Sequence, residues 1–138
     1  MFFAKLHPLL VHFPLALLAS GVLLEIYGTL QRDEASVTAG KFNVRLGFWF
    51  AITVAIIGAL GLTGLNIKQK AVLSYHILLA GTTITAFATA LLIQRFWKNQ
   101  TTLYLFLLLL GFLGVLATGY WGSELVHRFG VATLHPIE

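Results

Sequence analysis

The chain has no cysteine, which excludes disulfides, thiolate-held metals and covalent c-type haem attachment within it and leaves His or carboxylate to hold any bound metal. Charge is scarce as well: 10% of the 138 residues are charged, against roughly 25% in a soluble globular domain. That is too little to cover a water-facing surface. The N-terminus shows no signal-peptide pattern, because the first hydrophobic run opens with two prolines and two histidines and continues beyond a usual h-region. No nucleophile stands beside a base and no carboxylate pair falls inside a hydrophobic stretch, so bond-making catalysis has no candidate residue.

What is present is apolar: 58% of the residues are hydrophobic, in stretches long enough to cross a bilayer core of about 30 Å. The pattern predicts an all-α, four-transmembrane-helix bundle in one domain, residues 1–138, with spans at about 8–30, 46–65, 71–96 and 102–127 and both termini on the same side. Pro8 is expected at the first helical position, where a missing N–H costs nothing. Pro14 should weaken or bend the opening of that helix. Residues 31–43 read as a polar loop with room for a short interfacial helix. Gly130 fits a C-cap after the fourth span, and Trp49, Trp97, Tyr104, Tyr120 and Trp121 fall near predicted span ends, where rings bridge headgroup and hydrocarbon. Glu25, near the far end of span one, reads as a snorkelling interfacial acid.

The net charge of +4 does not point to nucleic acid, since every Lys and Arg lies at or between hydrophobic ends and reads as membrane flanking. Lys5, Lys68, Lys70 and Arg128 share the side of the termini, and Arg32, Lys41, Arg45, Arg95 and Lys98 take the other, a balance that leans towards termini outside. Gly58, Gly61 and Gly64 on span two and Gly111 and Gly114 on span four permit close helix approach, with a flat cofactor against the glycine face as the other reading. Thr82, Thr83, Thr85 and Thr89, alternating with alanines, look like an interior packing face.

The five histidines all fall towards the side of the termini. His7 and His12 open span one, His76 lies about five residues into span three, and His127 and His135 end or follow span four. At 1.5 Å per residue, His12 and His76 reach similar depths, so their rings can face each other across the bundle. A histidine inside hydrocarbon is costly unless it lines a cavity or has a partner, and opposed imidazoles on separate helices are what a b-type haem needs for axial ligation. An interhelical hydrogen bond is the competing reading for both. Five residues turn a helix through about 500°, so His7 and His12 share a face only if the Pro8–Pro14 region is irregular. Glu124, three residues before His127, is placed to orient its ring or to bind a metal beside it. His135, beside Pro136, reads as solvated.

The opening stretch Leu6-His7-Pro8-Leu9-Leu10-Val11-His12-Phe13-Pro14-Leu15-Ala16-Leu17 resembles the hallmark of a predicted membrane-protein family, domain of unknown function 2231. The segment from Gly119 to Val131, Gly-Tyr-Trp-Gly-Ser-Glu-Leu-Val-His-Arg-Phe-Gly-Val, is similar to that family's closing motif. Together they bracket the four spans; between them the match lies in hydropathy and in His76. The family pattern usually has Tyr where His127 stands and often His where Phe129 stands. Members joined to c-type cytochrome or Rieske-like domains imply redox work at the outer face, and with it periplasmic termini and a periplasmic histidine face.

The expectation is therefore a small b-type cytochrome or haem-bearing subunit in the bacterial cytoplasmic (inner) membrane. Haem b would be held by His12 and His76, with His7 and His127 available as a second pair and Glu124 behind. Electrons would pass between a quinol pool and an outer-face acceptor such as a c-type cytochrome. Partners would be the lipid bilayer and other membrane subunits or a second copy. The alternatives are a cofactor-free accessory subunit of a larger respiratory or photosynthetic complex, and a histidine-lined copper site.

Overall fold

Two prolines shape the first helix. Pro14 has no N–H to give the carbonyl of Leu10, so the helical ladder lapses for one residue at Val11. In this computed structural model, which describes residues 2–63 and 70–128, helix α1 covers Phe2–Leu10 and α2 covers His12–Gln31. Val11 keeps helical angles. Its N–H donates to the His7 carbonyl at 3.0 Å and its own carbonyl accepts from Leu15 at 3.2 Å, so α1 and α2 form one rod, Phe2–Gln31. The rod begins at Phe2, so Pro8 lies inside α1 and not at its first position; that shift changes which histidine sits at which depth.

Helix α3 covers Glu34–Leu62, α4 covers Lys70–Phe96 and α5 covers Thr101–Ser123, continued by a π-helical turn, Glu124–Arg128. The expected polar loop shrinks to Arg32 and Asp33. Arg32 turns the chain in the left-handed conformation, φ 57°, and Asp33 caps α3 by accepting from the Ala35 N–H at 3.1 Å and from the Ser36 hydroxyl at 2.6 Å. With that cap in place, residues 34–45 extend α3 as helix before the apolar stretch begins. The Ser36 hydroxyl holds the Asp33 carboxyl below the usual carboxylate range. A depressed folded-state value contributes stability above the unfolded pKa of about 3.9 and loses it as pH falls through the lower folded value. Asp33→Asn should therefore flatten the acid limb of thermal stability in detergent, measured from about pH 5 downward, and leave the neutral limb nearly unchanged.

Among the described residues, four helices are long and apolar enough to cross a membrane: Phe2–Gln31, Glu34–Leu62, Lys70–Phe96 and Thr101–Arg128. They alternate in direction as two antiparallel hairpins, the α1–α2 rod with α3 and α4 with α5. The hairpins meet where α2 touches α5 and α3 touches α4, which sets spans one and three on one diagonal. The register of the first hairpin is regular: Ala4 lies against Gly61, His7 against Gly58, Leu18 against Gly47, Glu25 against Gly40 and Val37 against Gly28. In lipid, packing rather than hydrophobicity holds helices together, and these glycines let the backbones approach closely. The glycine faces expected on spans two and four are filled by partner side chains, Phe87 against Gly111 and Thr83 against Gly114. Of the threonine face, Thr83 is buried, whereas Thr82, Thr85 and Thr89 are exposed and donate to carbonyls of their own helix.

The second hairpin repeats the first. His76 lies against Gly122 as His7 lies against Gly58, and Phe87 against Gly111 as Leu18 against Gly47. Gln94 meets Tyr104 at the level where Glu25 meets Gly40. The sequence carries the same echo: His7-Pro8-Leu9-Leu10 with His76-Ile77-Leu78-Leu79, and Phe42, Leu46-Gly47-Phe48 and Gly58 with Phe106, Leu110-Gly111-Phe112 and Gly122. Both hairpins start at the same end, so an approximate two-fold axis runs along the bundle. The main buried apolar cluster, from Leu18, Val22 and Val44 to Phe87, Leu108 and Val115, runs to mid-bundle from the loop end, the end that carries the 32–33 and 97–100 turns, and Ala4, Val54 and Leu125 are buried beyond it.

Candidate functional site: a histidine pair between the hairpins

Each hairpin holds one imidazole in the same way. The His7 Nδ1 donates to the Val54 carbonyl on α3 at 3.0 Å, and the His76 Nδ1 donates to the Thr118 carbonyl on α5 at 3.1 Å. Each of these carbonyls lies one turn before a glycine, Gly58 or Gly122. A helical side chain leans back over the turn that precedes it, so a glycine there leaves the carbonyl uncovered. A Cβ at Gly58 would stand 2.8 Å from the His7 ring, and one at Gly122 would stand 3.0 Å from the His76 ring. The glycines thus make both the seat for the ring and the access to its acceptor.

A carbonyl can only accept, so both hydrogen bonds place the proton on Nδ1 and leave the lone pair of the neutral ring on Nε2. The two ring centres lie 6.3 Å apart with planes at 84°, one on each diagonal span. Nδ1–H bonded to a backbone carbonyl is the arrangement that orients a metal-binding histidine for ligation through Nε2. Among the described residues no three His, Cys, Asp or Glu side chains gather to hold a metal.

The partner of His76 here is His7; His12 lies elsewhere. His12 is exposed, and its Nδ1 lies 3.3 Å from the Leu9 carbonyl of its own rod. Because the rod starts at Phe2, it is His7 that matches the depth of His76, and the 500° between His7 and His12 turns the second ring outward. His127 is exposed on the π-helical turn, and Glu124 pairs with Arg128 at 3.1 Å rather than with His127. The wider turn aligns residues four or five apart in place of three or four. His135, Gly130 and Phe129 lie outside the described residues, as do Gly64 and the end of span two.

A second polar layer sits near the loops, where sequence reasoning expected only an interfacial acid. Glu25 is 1% exposed, and both its carboxylate oxygens lie within reach of the Tyr104 hydroxyl, at 2.8 and 2.7 Å. Gln94 Nε2 donates to that hydroxyl oxygen at 2.9 Å, and Arg45 donates to Gln94 Oε1 at 2.9 Å. Tyr104 is accordingly buried and not part of an aromatic belt. Gly40 makes the burial possible, since a side chain there would overlap that of Glu25. Both layers draw one group from each span: His7, Val54, His76 and Thr118 in one, Glu25, Arg45, Gln94 and Tyr104 in the other. The internal repeat was the signal that could have found them, because it aligns His7 with His76, Glu25 with Gln94, and His12 with Gly81.

Comparison with curated proteins and with solved structures gave no match. The opening and closing motifs, the histidine seats and all of the four apolar spans but the first two residues of span one fall within residues 4–135, the stretch matched by one family profile, and the chain belongs to that family, described as predicted membrane protein (DUF2231).

Proposed function

We propose that this membrane protein is a one-electron carrier that holds a b-type haem between His7 and His76. The observation that carries the reading is the pair itself: two imidazoles on diagonal spans, each anchored to its own hairpin through Nδ1, with ring centres 6.3 Å apart. A pair of imidazoles from separate helices suits haem iron, which takes histidine from the protein. Zinc would ask for three or four protein ligands. His7 and His76 would hold the iron, one from each hairpin. When bound, the haem supplies reversible one-electron chemistry, and the chain supplies ligation, ring orientation and a dry surround.

On this reading the donor is a membrane quinol pool and the acceptor a c-type cytochrome or similar partner at the histidine face, in a bacterial inner membrane with that face periplasmic. The test is a haem titration of purified protein, followed by a reduced-minus-oxidised spectrum. One haem per chain with a reducible α-band is expected. Protein made with ample haem that shows no Soret band, and no copper on metal analysis, would favour the second reading, an accessory subunit. One observation favours that reading: each imidazole already ties two helices through its carbonyl bond.

A further inference from the structure

We propose that the Glu25–Tyr104–Gln94–Arg45 chain is a clamp that fixes the two hairpins at the loop end, and that the histidine end opens about it to admit its ligand. The ligand half of this statement rests on the haem reading; the clamp does not.

Direction within the chain carries the first step. Arg45 donates to Gln94, Gln94 donates to Tyr104 and Tyr104 donates to Glu25, so every proton points towards the carboxylate and the guanidinium charge is relayed to it through two neutral groups. The one Tyr104 hydroxyl proton can serve either carboxyl oxygen of Glu25.

Placement carries the second step. Both charged ends belong to the first hairpin, Glu25 on α2 and Arg45 on α3, and both neutral links belong to the second, Gln94 on α4 and Tyr104 on α5. Parting the hairpins here would strand a buried carboxylate without its donor, which is costly in a medium that cannot solvate it. The apolar cluster lies in the same half of the bundle and resists separation with it.

The histidine end is built the other way. His7 bonds within the first hairpin, and His76 and Thr83 bond within the second. The hydrogen bonds from Tyr104 to Glu25 and from Arg45 to Gln94 cross between the hairpins at the loop end, whereas His7 and His76 meet across the hairpins by a ring contact. The hairpins can therefore part at the histidine end with each imidazole still seated.

The absence of native cysteine makes the test direct. Spin-label pairs are introduced in the full chain at Lys5→Cys with Ser74→Cys for the histidine end, and at Tyr27→Cys with Arg95→Cys for the loop end. All four positions are exposed. Pulsed dipolar distances in lipid nanodiscs should be broad for the first pair and narrow for the second. Tyr104→Phe, which removes one hydroxyl, and Glu25→Gln should each broaden the loop-end pair. Adding hemin should narrow the histidine-end pair. A loop-end distribution as broad as the histidine-end one, or one that neither variant changes, would overturn the clamp. If hemin alters nothing while the loop-end pair responds to the variants, the clamp is supported and the haem reading falls.

Discussion

Gly40→Leu is expected to be among the most destabilising substitutions this chain can take. A Cβ at position 40 would lie 2.5 Å from Glu25 Cγ, 2.7 Å from the Glu25 backbone nitrogen and 2.8 Å from the Gly21 carbonyl oxygen. Two of those three atoms are backbone, so no rotamer change relieves the clash and α2 must move away from α3. Extra methylenes in a well-packed interior cost about 1–3 kcal/mol, and a leucine wedged between two backbones should cost about 3 kcal/mol or more. The same displacement would pull Glu25 from Tyr104. Gly81→Leu is the control, because nothing stands within 4 Å of its Cβ position. Unfolding followed by circular dichroism in one detergent should show the first variant losing its cooperative transition and the second matching the unmodified chain.

The second large effect concerns the histidines. Loss of an outer-shell partner of a metal ligand usually weakens binding by about 10–100-fold, so loss of the ligand itself, in His7→Ala or His76→Ala, should weaken haem binding by about a hundredfold or more. Because the two seats repeat each other, the two losses should be similar. Without haem each variant gives up one interhelical hydrogen bond, worth about 0.6 kcal/mol on average and at most about 1.7 in a membrane protein. The chain should still fold. His12→Ala removes an exposed ring bonded to its own rod and should leave both affinity and stability almost unchanged.

The four spans were legible because 20 or so apolar residues bounded by charge have few other solutions in a bilayer. The starting point of the first span was not. Prolines at 8 and 14 mark a helix opening in most sequences, but here the residues before Pro8 join the helix and Pro14 costs a single lapse at Val11. Moving the start from Pro8 to Phe2 moves the matching depth from His12 to His7, so the ring that faces His76 is His7. Glu25 was misread for another reason. A carboxylate near a span end can snorkel, and only the neighbours assembled by the fold, Gly40 beneath it and Tyr104 beside it, draw it inside. The loop at 31–43 was hidden by its polarity, because helix propensity and the Asp33 cap carry α3 past the point where hydropathy ends. The π-helical turn that separates Glu124 from His127 has no signature in spacing at all.

On the haem reading, His7 and His76, and not His12, form the working pair. The reduced-minus-oxidised spectrum of haem-supplied His7→Ala protein, recorded beside His12→Ala prepared identically, addresses it most directly. The α-band should disappear in the first and persist in the second. A band that survives His7→Ala and vanishes in His12→Ala would contradict that reading.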